Sequence, residues 1–184
     1  SQEKEIEPLK KGFADIIITD LSLIKEIKIV EREKLEEIIK ELNLTESKFI
    51  DKETGLKIGK MLNAKYLLTG SYLNMFGQLR IDVKLINTET SEIVWTKGLE
   101  GELKNIFGLE KNIVSSFLQS EIINVKTENK EENATLKYEA IENYSKALDF
   151  YDKKDYKNAQ LYLEKAISVD SKFQYAKKYL DKIK

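Results

Sequence analysis

The stretch from Leu62 to Trp95, LNAKYLLTGSYLNMFGQLRIDVKLINTETSEIVW, constrains the fold of this chain more than any other part. LLTGSYLNMF is rich in apolar, aromatic and β-branched residues, and in LRIDVKLIN apolar Leu79, Ile81, Val83 and Leu85 alternate with Arg80, Asp82 and Lys84. A tight turn at Gly77-Gln78 joins the two into a hairpin. A second turn, NTETSE, leads into EIVWTKGLEG, where Ile93, Trp95 and Leu99 alternate with polar or small residues. The expectation is an antiparallel meander of three strands with one dry face and one wet face.

Helical periodicity surrounds the meander. Phe13, Ile17, Leu21 and Ile24, with Ile16 beside them, recur at helical spacing between Lys11 and Ile24. IKIV (27–30) is short and β-branched, which reads as a buried strand; Leu35, Ile38, Ile39 and Leu42 follow as a second helix. Asp51, or alternatively Thr54, caps a third helix running to about Asn63, with Ile58, Met61 and Leu62 turned inward. After the meander, Ile106, Leu109, Ile113, Val114 and Phe117 mark an amphipathic helix that covers the same sheet. The fold class expected is α+β, an α/β sandwich on a mainly antiparallel sheet, extended by a C-terminal all-α hairpin with a capping helix.

The boundary falls at KTENKEEN (126–133), which holds no large apolar side chain and reads as a linker or helix extension, dividing the chain into 1–125 and 134–184. The 34 residues AIENYSKALDFYDKKDYKNAQLYLEKAISVDSKF then resemble one tetratricopeptide repeat, with Ala147, Phe150, Tyr156, Ala159, Leu163 and Ala166 at the core positions and Ser171 where the usual proline stands. Small Ala147, Ala159 and Ala166 let two helices approach closely, and Phe173–Ile183 caps the pair. One repeat cannot bury its own face, so it leans on its cap, on the first domain or on another protomer. Tyr144 and Tyr151 fall on the side that lines the concave face in repeat arrays and are the residues nominated for protein contact; Tyr156 reads as packing.

The chain contains neither histidine nor cysteine. That removes the commonest general base and metal ligand, thiolate sites and disulfides, so no enzymatic activity, catalytic residue, metal or cofactor is expected. A net charge of -1 offers no electrostatic footprint for nucleic acid. No apolar run approaches the ~20 residues of a membrane-spanning helix, so attachment to a membrane would lie upstream of Ser1, whose position as first residue reads as a processed or trimmed product. Asp15 and Asp20 read as solvated helix positions and Asp82 as paired on the polar side of its strand. Arg32 has two open readings: a buried ion pair fixing the strand-to-helix turn, or plain solvation. Gly70 inside a strand reads as a bulge or a close approach, and Gly55 and Gly59 have neither phosphate-loop nor dinucleotide spacing.

LNAKYLLTGS followed by RIDVKLINTETSEIVW resembles the curli-secretion (CsgG-like) and TolB amino-terminal-like domains, and KKGFADIIITDLS and IKIVEREKLEEIIKE resemble the first helix, second strand and second helix of that family. The resemblance covers most of residues 8 to 125. It implies a periplasmic, outer-membrane-associated envelope protein that binds or assembles with other proteins, without the long hairpins that pore-forming members need. It also implies a first apolar strand, for which this chain has the charged SQEKEIEPLK, so an open sheet edge is expected and homo-oligomerisation through that edge or the helical repeat is a candidate. The alternative reading is a sensory or regulatory module, since TolB-like domains followed by tetratricopeptide repeats also occur in cytoplasmic signalling proteins.

Overall fold

A computed structural model of the chain describes residues 9–44, 52–122 and 137–183. Among them the elements run α1 (Lys10–Ser22), α2 (Arg32–Glu41), α3 (Lys52–Leu62), β1 (Tyr66–Met75), β2 (Gln78–Asn87), β3 (Ile93–Glu102), a 3-10 turn (Leu103–Asn105), α4 (Ile106–Leu118), α5 (Tyr138–Asp152), α6 (Tyr156–Val169) and α7 (Gln174–Ile183). The class is α+β, with one antiparallel sheet in the order β1-β2-β3 and a C-terminal helical hairpin with its capping helix. The expected linker 126–133, the Asp51 cap and the charged start at residues 1–8 lie outside the described residues.

The alternation in β2 does what its pattern requires: Leu79, Ile81, Val83 and Leu85 are buried, and α4 places Ile106, Leu109, Ile113, Val114 and Phe117 on them. Burying a side chain of this size is worth roughly 1.5–3 kcal/mol, so this face dominates the stability of the sheet. The turn lies one residue earlier than expected. Met75 pairs with Gln78, and Phe76 and Gly77 form the loop with φ of 55° and 82°, the double positive φ that a two-residue type I′ hairpin demands.

Three further expectations are corrected. IKIV is not a strand: no described strand lies beside it to complete a ladder, so Ile27 and Ile29 contribute packing only, against the Ile17, Leu21 and Phe117 cluster. Ile93 points outward and is exposed, because a register shift between Leu85 and Ile86 pairs those residues with Trp95 and Ile93, leaving Val94 as the extra residue and reversing the alternation. Met61 is also exposed, while Ile58 is the fully buried residue of α3.

Of the two readings for Gly70, the close approach holds and the bulge does not: the Asp82 carbonyl lies 3.1 Å from where its Cβ would stand, while the sheet's irregularity lies at Leu85/Ile86. At Gly59 a Cβ would overlap the side chain of Thr88, whose hydroxyl donates to the carbonyl of Ala64 at 2.5 Å and so ties the end of α3 to the end of β2. The core is continuous across the two halves of the chain: Leu9, Ile16 and Ile113 belong to the same buried cluster as Ile141, Tyr144, Leu148, Leu163 and Phe173. The helical hairpin leans on its cap and on the first domain, with α1 packed between the sheet-covering helix α4 and α5.

Candidate functional site

Two regions hold the polar and exposed apolar residues that a function needs. The first is the seam where α1 meets α5. The Gly12 amide donates to Ser145 Oγ at 3.0 Å, and a Cβ at Gly12 would collide with that hydroxyl, so glycine sets the separation of the two helices. One turn along α1, Asp15 accepts hydrogen bonds from the hydroxyls of Tyr144 at 2.5 Å and Tyr179 at 2.8 Å, joining α1 to α5 and α7.

Arg32, only 3% exposed, closes the seam from the start of α2. Its Nη1 and Nη2 donate to Asp152 Oδ2 and Oδ1 at 2.9 and 2.8 Å, a two-pronged bond, while Nε stands 3.3 Å from Asp15 Oδ1 without an aligned hydrogen bond. Lys11 reaches Asp149 at 2.6 Å and Asp152 at 3.2 Å, and Lys182 reaches Glu33 at 3.3 Å. Burial opposes the charge on Asp152, yet the Arg32 bonds and charge together with Lys11 outweigh it and hold the carboxyl below the usual aspartate range. Burial, then the Asp15 carboxylate, push both tyrosine hydroxyls upward, so they remain neutral donors across the ordinary pH range. Every group here is committed to a partner within the chain, an arrangement suited to holding helices rather than to chemistry.

The sequence-derived candidates separate accordingly. Of its two readings Arg32 takes the buried ion pair: its two-pronged partner is Asp152, 120 residues away, with Glu36 one turn along α2 at 3.8 Å. Asp15 is corrected from a solvated position to a buried one and Asp20 to a half-buried one; Asp20 accepts from Tyr175 Oη at 2.6 Å and pairs with Lys111. A second layer of helices over α1 is the reason, and nothing in the periodicity of α1 alone announces it. Tyr144 is 0% exposed with its hydroxyl used by Asp15, so it has no surface to offer an outside partner. Tyr151 is half-buried, its ring edge-on to Tyr156 and Tyr179, and Tyr156 packs on Tyr151 with 47% of its surface exposed.

The second region is the outer face of the sheet with its hairpin tip. Arg80 donates to Asp82 at 2.9 Å and across the strands to Glu100 at 2.7 Å, which confirms the paired role of Asp82. Beside this polar strip, Leu73 and Met75 are exposed on β1, and Phe76 is 90% exposed at the turn. A large aromatic in a left-handed conformation costs roughly 1–2 kcal/mol where asparagine or glycine would sit at ease, and this one gains no packing in return. The sequence signal is the MFGQ tetrad, in which an aromatic, read as strand, precedes the turn glycine.

Residues 3–76 match the family model described as the curli production assembly/transport component CsgG, so the match spans α1 to α3 and β1 and ends at the hairpin tip. No curated protein matches. Among solved structures, the C-terminal domain of LpoB from Salmonella enterica is similar at 18% sequence identity and a TM-score of 0.35, covering 41% of this chain and 57% of that one. This chain therefore spans little more than half the length of that structure. No described helix is long and apolar enough to cross a membrane.

Proposed function

We propose that this chain is a non-enzymatic cell-envelope module that binds a protein partner through the outer face and hairpin tip of its sheet. The envelope assignment is supported by the curli production assembly/transport family match over residues 3–76. The observation that carries the binding surface is Phe76, exposed and in an unfavourable backbone conformation beside exposed Leu73 and Met75. Apolar groups kept at a cost on the surface mark interaction sites more often than isolated apolar residues do. The absence of histidine and cysteine supports a binding role over a catalytic one.

The helical hairpin plays a different part in this reading. Its Tyr144 side is occupied by α1 of the same chain, so it acts as a brace on the α/β domain, and its outward face, with Tyr156 and Leu161 exposed, is the part left for contacts. The test is in-cell crosslinking with a photoreactive phenylalanine analogue at position 76 and, for comparison, at position 161, followed by fractionation. A defined protein adduct from position 76 in the envelope fraction is expected. Equal labelling from both positions, or none from position 76, overturns the surface; a cytoplasmic location overturns the envelope assignment and favours a regulatory module.

A further inference from the structure

Glu110 is the group the fold leaves unexplained. It stands on α4 among Leu109, Ile113 and Val114, is 0% exposed, and neither of its carboxyl oxygens accepts a hydrogen bond from any described residue. An isolated buried carboxylate is far too costly to persist without a partner. Among the described residues the cation paired with it is Lys111, whose ammonium lies 4.0 Å from Oε2 but is engaged by Asp20 on α1. The Glu110 and Asp20 carboxyls therefore converge on one ammonium, that of Lys111.

We propose that Glu110 and Asp20 share one proton, forming a carboxyl-carboxylate clamp that seats α4 on α1, and that the clamp loosens when this proton leaves. The partners fix which acid holds it. Asp20 already receives the Lys111 ammonium on one oxygen and the Tyr175 hydroxyl on the other, whereas neither Glu110 oxygen receives a donor, so Glu110 is the member that carries the proton and its O–H is the donor to Asp20. The charges acting on Glu110 among the described residues are Asp20 from α1 and Lys111 from α4 itself, with Tyr175 of α7 engaged through Asp20. One proton thus links three helices from both halves of the chain.

Burial first, then the Asp20 charge, push the Glu110 carboxyl up from 4.5 to about 8. In the unfolded chain the same group gives up its proton near 4.5, so the stabilisation is fully present below that value, is lost as pH rises, and stays lost above about 8. The folded-to-unfolded ratio falls by up to about tenfold per pH unit across that window. Few other shifted groups interfere, because Asp152 and Glu33 are lowered and titrate below it, while Lys11, Arg32, Tyr144 and Tyr179 are raised and titrate above it.

The direct test is carbon-13 NMR of the glutamate carboxyls in the intact chain across this range. One glutamate with a midpoint near 8, absent in Glu110→Gln, is expected; completion of every glutamate titration below pH 6 overturns the clamp. Urea unfolding gives the second arm: Glu110→Gln keeps a neutral donor and is expected to be more stable than the parent at pH 8.5 while losing the slope between pH 5 and 8. An unchanged slope in Glu110→Gln also overturns the proposal. Trp95, the one tryptophan, packs edge-on against Phe117 of α4 and reports the seating of that helix by its emission.

Discussion

Arg32 faces three carboxylates and Arg80 two, yet they live in opposite surroundings. Arg32 is sealed in the seam between α1, α2 and α5, its fork matched to Asp152; Arg80 lies 52% exposed on the outer sheet, bonded to Asp82 and Glu100. In the seam water cannot replace a lost partner, so each bond there holds distant parts of the chain in place. On the sheet water stands ready beside every charge, and the ion pairs contribute little to stability. The comparison separates a braced interior, where polar groups fix the arrangement of helices, from a solvated face whose polar strip frames an apolar tip.

The largest expected effect comes from breaking the seam. Arg32→Met leaves Asp152 and Asp15 short of their cation and is expected to cost about 3–5 kcal/mol in urea unfolding. Tyr144→Phe removes one of two donors to Asp15 without a change of shape, and a loss of about 1–3 kcal/mol is expected. On the other side of the comparison, Phe76→Asn relieves the left-handed backbone and is expected to stabilise the chain by about 1 kcal/mol while abolishing partner capture in a binding assay. A loss of both stability and binding would instead assign Phe76 to packing. Arg80→Ala is the smallest, with no measurable shift in the unfolding midpoint expected; a shift comparable to that of Tyr144→Phe would erase the distinction between the two regions.

Much of this architecture is legible in the amino-acid sequence, and the part that is not follows a rule. The meander, the α4 stripe and the small-residue contacts of α5 and α6 are readable because each records one face of one element against water. Asp15, Asp20 and Glu110 are unreadable in that way: an acid on a helix looks solvated until a second layer from more than a hundred residues away covers it, as α5 and α7 cover α1. Alternation alone points Ile93 inward, because a register shift leaves no mark in the pattern that precedes it. Phe76 reads as strand because turn chemistry favours asparagine at its position, so the residue that distinguishes the tip also disguises the turn. Of the candidate site, the arginine was visible in the EREK junction but its partner Asp152 was not.

The central claim is that the seam makes the sheet domain and the helical hairpin one cooperative body. Urea unfolding monitored through Trp95 in β3 and through the far-ultraviolet helical signal tests it most directly, with the parent compared against Arg32→Met. Coincident transitions are expected in the parent and separate ones, helical signal first, when Arg32 is replaced. Two resolved transitions in the parent chain would contradict it, because the hairpin would then stand on its own and the buried seam would couple nothing.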